Sequence, residues 1–337
     1  TGIGWNDHAA STYKLSENLH PTVWTGDVAV STIKHYEGEQ PLFLKISFAR
    51  PHSPYDPPQR ILEMYENIEI PAPAEGEWSK HIGKDITDPK ADSSAAFAQF
   101  STEYVKNTRK HYYAAVTFID EQVGRIVKAL KEKGMYDNTI ICFTSDHGDM
   151  MGDHHSWRKT YAYEGSAAIP MIIKTPKDVE GVHCRGKVIE NPVELRDILP
   201  TFLDAAGGET PEAMDGRSML KLIKEENPQW RRWIDMEHAT CYSEENYWCA
   251  LTDGKIKYIW FLRTGEEQLF DLVKDPHETV NQITNRKYRK QTDELRRAMA
   301  EHLSERGDKW VKDGQLQKRE KTLLYSPNYP SGLSTKK

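Results

Sequence analysis

Apolar residues recur at helical spacing along two stretches in the first half of the chain. Between residues 104 and 133 they stand three and four positions apart, and Gly134 follows, at the kind of position where a helix ends. Residues 27–35 carry a shorter pattern of the same kind. We therefore predict a long helix and a short one here, and a third helix over residues 193–206.

Three short runs rich in β-branched and aromatic residues predict buried strands; they cover residues 41–48, 139–144 and 169–174. Helices and buried strands alternate along this part of the chain, which indicates an α/β domain. We predict a mixed, mostly parallel sheet sandwiched by helices, and we assign residues 1–229 to this domain.

From residue 230 the pattern changes to short strand-like runs separated by turns. Asp253-Gly254 and Thr264-Gly265 are dipeptides typical of hairpins, and a charged helical pattern follows. We predict a smaller C-terminal α+β subdomain of about four antiparallel strands and a helix over residues 230–304, and then a tail over 305–337. The strands are predicted at 232–238, 247–252, 255–262 and 267–272, and the helix at 287–303.

Polar side chains directly follow two of the predicted strands. Asp146 and His147 come after one, with Gly148 behind them, and His52 follows another in a proline-rich loop. In open α/β sheets, ligands bind beyond the carboxyl ends of the strands, so we expect these side chains at one edge. An acid and an imidazole can bind a metal ion, and Lys159 can reach an anion bound there. The alternative is an ordinary solvated junction between strand and loop.

Composition narrows the classes of partner. Charged residues make up 28% and hydrophobic residues 38% of the 337 positions, which is typical of a globular chain. The net charge of −6 argues against nucleic acid as the main partner. No apolar run approaches the ~20 residues of a membrane span, and the first residues carry no signal-peptide pattern. The four cysteines fit no metal-ligand spacing; Cys241 and Cys249 are candidates for a pair.

Five blocks of sequence, in order along nearly the whole chain, resemble the type I sulfatase family. The blocks are residues 48–55, 144–154, 157–170, 197–218 and 268–281. The family belongs to the alkaline phosphatase superfamily, which implies a large α/β domain and a small C-terminal one. The resemblance also implies an extracytoplasmic location (periplasmic, secreted or lysosomal).

The resemblance implies roles for five side chains. Asp146 and His147 match the second pair of ligands for a divalent cation, usually Ca²⁺. His52 and Lys159 match residues that hold the sulfate oxygens and polarise the leaving-group oxygen. His154 matches a position near the substrate pocket. The donor types alone favour zinc or manganese, since calcium prefers oxygen ligands.

The implied substrate is a sulfated carbohydrate or an aryl sulfate. Arg50 and Arg158 suit a sulfated sugar because arginines pair with anions. We include His238 among the candidate substrate-binding residues. Two rivals stay open: a phosphodiesterase or phosphatase of the same superfamily, and a non-catalytic fragment or glycan-binding subunit.

The chain departs from the family pattern at its start. Sulfatases attack with a formylglycine made in a Cys/Ser-x-Pro/Ala-x-Arg motif, and none of the four cysteines has that context. The family's upstream Asp-Asp metal pair is missing as well. We expect both in an N-terminal segment of the same protein that lies outside this chain, and we expect the chain alone to be inactive.

Overall fold

The computed structural model describes residues 2–320, except for residues 180, 183, 212 and 240. The elements up to residue 224 are α1 Pro21–Lys34, α2 Gln59–Glu63, α3 Thr102–Glu132, β1 Ile141–Thr144, α4 Glu164–Ala167, β2 Met171–Lys174, α5 Ile198–Ala205 and α6 Leu220–Lys224. After them come β3 Ile234–His238, β4 Trp248–Thr252, β5 Ile256–Phe261, β6 Glu267–Asp271, α7 Arg289–Ser304, β7 Val311–Lys312 and β8 Gln315–Leu316.

The long helix α3 and the shorter α1 form one helical layer. The Ser101 hydroxyl accepts a hydrogen bond from the Tyr104 backbone N–H at 3.2 Å and caps the start of α3. At the other end Gly134 has a φ of 72°, the left-handed conformation that glycine tolerates. Both helices were predicted from their apolar spacing. They pack through small and branched side chains, which are Ala29, Ile33, Ile126, Ala129 and Leu130.

The strands β1 and β2 pair antiparallel, with Ile141 opposite Lys174 and Thr144 opposite Met171. The predicted parallel order is therefore not seen between these two strands. Ile141 packs against the helical layer, whereas Ile172 is 61% exposed. Phe143, paired with Ile172, lies on the same face as Ile141, so the helical layer covers only part of this face and leaves apolar side chains exposed.

The prediction of a strand over residues 41–48 is wrong for the described chain. This segment belongs to none of the sheets in the part of the chain that the structure describes. Ile46 and Phe48 pack against the helical layer, whereas Phe43 is 75% exposed. The apolar residues of the segment correctly indicated that it packs against the protein core. A strand also needs a neighbouring strand that accepts its backbone hydrogen bonds.

The C-terminal sheet has the order β3-β4-β5-β6, all antiparallel, as predicted. Alternate residues of β4 point to opposite faces. Cys249 and Leu251 face α7, with Leu295 and Met299 of that helix in the same core. Trp248 and Ala250 face the other way, against Met150 and residues 161–163. The sheet therefore lies between its own helix and the loop that carries the candidate site.

The packed structure continues beyond Ser304, although a tail was predicted from residue 305 onward. Trp310 and Val311 are buried in the core of the C-terminal sheet, next to the two-stranded β7–β8 pair. The domain limits at 229 and 304 stay predictions, and residues 321–337 lie outside the described residues.

All four cysteines are free, so the suggested pairing of Cys241 with Cys249 is wrong here. Within the described residues, no helix combines the length and apolarity needed to cross a bilayer.

Candidate active site

The site loop, residues 145–160, leaves β1 and is closed at its neck by hydrogen bonds. The Met150 N–H donates to the Arg158 carbonyl at 2.7 Å. Oδ1 of Asp149 accepts from the N–H groups of Met151 and Arg158, both at 3.0 Å. This neck places Lys159 beside residues 148–150 and thus near the start of the loop.

Glycine is required where the loop starts, because two backbones touch there. A Cβ on Gly148 would lie 2.2 Å from the Gly165 carbonyl oxygen, inside any permitted contact. The Gly148 N–H donates to the Ser166 carbonyl at 2.8 Å. The start of α4 is thereby held against the residues that follow β1.

His52 and Lys159 meet although they are 107 positions apart. Nζ of Lys159 lies 3.2 Å from Nε2 of His52, and Nδ1 of His52 lies 3.0 Å from the Ser53 carbonyl oxygen. A proton on Nδ1 satisfies that carbonyl and leaves Nε2 as the acceptor for the ammonium group. The indole of Trp5 stacks on the imidazole with ring centroids 4.7 Å apart.

Asp146 and His147 form the second pair. Oδ2 of Asp146 lies 3.5 Å from Nε2 of His147, and the carboxylate is largely exposed. Nδ1 of His147 lies 2.7 Å from the Gly148 carbonyl oxygen, so an N–H there leaves the Nε2 lone pair free. An oriented imidazole beside a carboxylate suits a divalent cation. The described residues contain no group of three or more acidic, His or Cys side chains arranged to hold a metal, so the pair supplies half a site at most.

Two tyrosines, Tyr55 and Tyr112, lie beside the carboxylates of the site loop. The rings of Tyr55 and Tyr112 are 6.0 Å apart, and the Tyr55 hydroxyl donates to Oδ2 of Asp149 at 3.4 Å. Burial raises the pKa of Tyr112, and the carboxylates of Asp149 and Asp146 raise it further. Burial also raises the pKa of Asp149, although two backbone N–H groups and Lys159 oppose the rise. The carboxylates of residues 146 and 149 and the ammonium group of Lys159 thus share one electrostatic environment.

The guanidinium of Arg50 is engaged away from this pair. It donates two hydrogen bonds to Asp56, at 2.8 and 3.2 Å, and both side chains are buried. Burial opposes ionisation of Asp56, but the neighbouring His20 ring and the Arg50 guanidinium hold the pKa of that carboxyl below its usual value. Arg50 therefore braces the loop that carries His52, and its placement gives no support to a direct contact with substrate.

Arg158 is also held inside the protein. Its Nη2 donates to the Ser94 carbonyl at 2.6 Å, and its guanidinium lies 4.6 Å from the ring centroid of Tyr242. Only 8% of the residue is exposed, but Tyr242 above it is 43% exposed. The arginine therefore supports an exposed aromatic ring beside the site loop.

Two of the predicted histidines take part in packing. His154 is 2% exposed, and its Nε2 lies 2.9 Å from the His277 carbonyl oxygen, while its ring packs on Trp78. His238 is stacked on Trp248, and its Nδ1 lies 3.3 Å from the Asn246 carbonyl oxygen. Burial lowers the pKa of both imidazoles. Neither placement supports a direct contact between these rings and a substrate.

Sequence reasoning missed residues whose only signal is their position in the fold. Asp149 stands inside the Asp146–Asp149 run, but nothing in the sequence shows that it closes the loop. Trp5 reaches His52 from 47 positions away, and no motif marks it. Both contacts arise from tertiary structure rather than from local pattern.

Comparison with known proteins identifies the family. The protein-family model described as Sulfatase matches residues 6–208, more than half of the chain. This chain belongs to the sulfatase family. A second protein-family model, described as N-sulphoglucosamine sulphohydrolase, C-terminal, matches residues 152–305. The predicted resemblance is thereby confirmed.

Two sulfatases illustrate the relationship. The chain is 38% identical to the arylsulfatase of Clostridium perfringens (strain 13 / Type A), over 94% of this chain and 65% of that protein. It is 28% identical to the N-acetylglucosamine-6-O-sulfatase of Bacteroides thetaiotaomicron (strain ATCC 29148), over 80% of this chain and 47% of that protein. The chain therefore spans between about half and two thirds of the length of these relatives.

Solved structures support the same fold. The phosphonate monoester hydrolase of Agrobacterium radiobacter superposes with a TM-score of 0.71 at 25% identity, over 90% of this chain and 64% of that one. A protein solved with its substrate D-glucosamine-2-N,6-O-disulfate gives a TM-score of 0.68 at 22% identity, over 85% of this chain and 69% of that one. The α/β fold of alkaline-phosphatase type with a small C-terminal antiparallel sheet is thus confirmed.

Proposed function

We propose that the complete protein is a sulfuric ester hydrolase and that this chain supplies the charge-stabilising half of its active site. The 3.2 Å contact between Lys159 and His52, at the neck of a loop that also carries Asp146 and His147, is the observation that carries this proposal. It unites a cation and an oriented imidazole from segments 107 positions apart. A sulfate ester has oxygens whose negative charge grows during S–O cleavage, and such groups stabilise it.

Lys159 and His52 have different chemical roles in this proposal. The ammonium group of Lys159 faces the sulfate oxygens, where a fixed positive charge favours the transition state. His52, with Nδ1–H held by the Ser53 carbonyl, presents Nε2 to the leaving-group oxygen and delivers a proton when it is charged. Trp5, stacked on the ring, keeps the imidazole in that orientation.

Asp146 and His147 would hold a divalent cation, which we take to be Ca²⁺ from the family relationship. The cation, when bound, polarises a sulfate oxygen as a Lewis acid. The Gly148 carbonyl orients the His147 ring, and the adjacent carboxylate supplies negative charge for the ion. The remaining ligands and the formylglycine nucleophile belong, in this proposal, to polypeptide outside the chain.

The same outside polypeptide would cover the apolar side chains that the helical layer leaves exposed on β1 and β2. Phe143 is 39% and Ile172 61% exposed on β1 and β2, in a fold whose sheets are normally covered on both faces. The relatives' additional length is consistent with such a cover. From the family relationship we also place the protein outside the cytoplasm.

The substrate we favour is a sulfated carbohydrate, with an aryl sulfate as the other choice. One relative is named an arylsulfatase and another an N-acetylglucosamine-6-O-sulfatase, which between them cover both classes. The likeness to a phosphonate monoester hydrolase supports a second candidate, hydrolysis of a phosphorus ester by the same groups.

Alanine variants of the central pair test the proposal. We expect His52→Ala and Lys159→Ala in the complete protein to lower kcat on a sulfate ester by about two orders of magnitude or more, because each removes a preorganised stabilising group. Steady-state kinetics on 4-nitrophenyl sulfate measures this.

The matched controls are His35→Ala and Lys34→Ala, which change the same residue types at the exposed end of α1. We expect these two variants to keep the wild-type kcat. Near-normal rates in both His52→Ala and Lys159→Ala would refute the assigned roles.

A further inference from the structure

The peptide directly after Lys159 is held in an unusual conformation. Thr160 has a φ of 90°, which is a genuine outlier for a β-branched residue. Such residues persist where surrounding contacts hold them, and they cluster at functional sites. The site loop contains further non-glycine residues with positive φ, namely Met151, His154, His155 and Arg158.

Contacts from the C-terminal sheet hold Thr160 in this conformation. Nδ2 of Asn246 donates to the Thr160 carbonyl at 3.2 Å and lies 3.0 Å from its hydroxyl oxygen. Nε1 of Trp248 donates to the same carbonyl at 3.0 Å. It also lies 3.1 Å from Oδ1 of Asn246, which fixes the orientation of the amide. Both side chains are buried, at 7% and 5% exposure.

We propose that Asn246 and Trp248, the clamp, are positioning residues that aim Lys159 at the reacting group. This rests on the proposed function of Lys159. Where the Lys159 ammonium group lies depends on its backbone, and the clamp binds the peptide one residue away. The clamp comes from the residues at the start of β4, so the C-terminal sheet sets the geometry of a residue in the α/β part.

The clamp acts through Lys159 and touches none of the reacting atoms. Without the two donors, the Thr160 peptide is free to rotate out of the left-handed region, and the side chain before it moves. A displacement of about 1 Å in a preorganised group costs up to about a hundredfold in rate. We therefore expect kcat to fall about tenfold to a hundredfold while KM changes little.

Asn246→Asp is the sharpest variant because it keeps the size of the side chain. The carboxylate still accepts from Trp248 but replaces the donor to the carbonyls of Thr160 and Cys241 by an acceptor. Asn281→Asp is the matched control: Oδ1 of Asn281 accepts from the N–H groups of Leu269 and Ile283, and a carboxylate keeps both bonds. The variant loses only the long 3.5 Å bond from Nδ2 to the Glu267 carbonyl, far along the chain from Lys159. We expect the control to retain the wild-type kcat.

A double variant separates positioning from general damage. In the complete protein, Asn246→Asp should lower kcat about tenfold or more with Lys159 present and less than twofold in the Lys159→Ala background. The loss should also be larger for sulfate esters with poor leaving groups, which need the most charge stabilisation. An equal loss in both backgrounds, or no loss in the single variant, overturns the proposal.

Two further measurements cover the other outcomes. If Asn246→Asp does not fold, Trp248→Phe removes the Nε1 donor while keeping a smaller aromatic ring in the core, and it is expected to give the same pattern. Hydrogen–deuterium exchange without substrate tests the clamp independently of activity. Faster exchange at residues 158–161 in the variant supports the clamp, and unchanged exchange overturns it. A wild-type protein that hydrolyses no sulfate ester would instead refute the proposed function, whatever the exchange shows.

Discussion

The two imidazoles of the candidate site are oriented in the same way. In His52 and His147 alike, Nδ1 faces the carbonyl oxygen of the following residue, and Nε2 is left for a cation. Their positions after predicted strands made both residues candidates from sequence. The ion pair of Arg50 was not predictable, because nothing in the sequence shows that its guanidinium binds Asp56, six positions on.

His8 shows how burial of a single ring makes stability depend on pH. The ring is fully buried, its Nε2 lies 2.6 Å from the Ala95 carbonyl oxygen, and it stacks on Trp157. Burial lowers the pKa of His8 from 6.5 to about 4. Protonation therefore favours the unfolded chain, so stability present above pH 6.5 is lost as the pH falls toward about 4.

We predict that His8→Gln removes part of this pH dependence. Glutamine keeps a donor for the Ala95 carbonyl but does not titrate. The wild type should lose up to about 3 kcal/mol more than the variant between pH 7 and pH 4. Urea unfolding at a series of pH values measures the difference. His35→Gln, on the exposed end of α1, is the control and should follow the wild type; identical slopes in all three proteins would contradict the argument.

At the scale of elements, the C-terminal strands were predicted closely and the segment 41–48 was not. The alternating pattern and the two hairpin dipeptides located β3 to β6 to within two residues, because local sequence determines hairpins. The segment 41–48 has strand composition, yet pairing depends on a neighbour that local sequence does not reveal.

A buried charge cluster joins the C-terminal sheet to α4. Nζ of Lys257 on β5 lies 2.6 Å from Oε1 of Glu164 and 2.8 Å from Oε1 of Glu278. Lys257 is fully buried, and burial raises the pKa of Glu278 although Lys257 opposes the rise. The Glu164 N–H donates to the other oxygen of Glu278 at 2.6 Å. Since α4 touches Gly148, this cluster supports the start of the site loop.

We predict that Lys257→Met destabilises the protein by about 3–5 kcal/mol, because it leaves a buried carboxylate without its cation. Adding Glu278→Gln should recover part of the loss. Chemical denaturation measures both. Lys255→Met, which removes an exposed pair with Glu190, should cost about 1 kcal/mol or less. A loss as small as that for Lys257→Met would show that the cluster contributes little.

At the scale of the whole molecule, the site loop contacts both the α/β part and the C-terminal sheet. The α/β part holds its neck and brings His52 to Lys159, while the C-terminal sheet packs against Met150 and residues 161–163 and clamps Thr160. The family blocks located the site's residues in sequence, although the strand predicted before His52 does not form in the described chain. Which side chains face a substrate and which serve packing depends on the docking of the two parts, and sequence pattern alone did not separate His154 and Arg158 from His52.

The most direct test of the central claim compares two esters that differ only in the central atom. The complete protein, supplied with Ca²⁺, is assayed on 4-nitrophenyl sulfate and 4-nitrophenyl phosphate, and Lys159→Ala serves as the control against contaminating enzymes. We predict a higher kcat/KM for the sulfate, lost with the lysine. A higher kcat/KM for the phosphate would contradict the account.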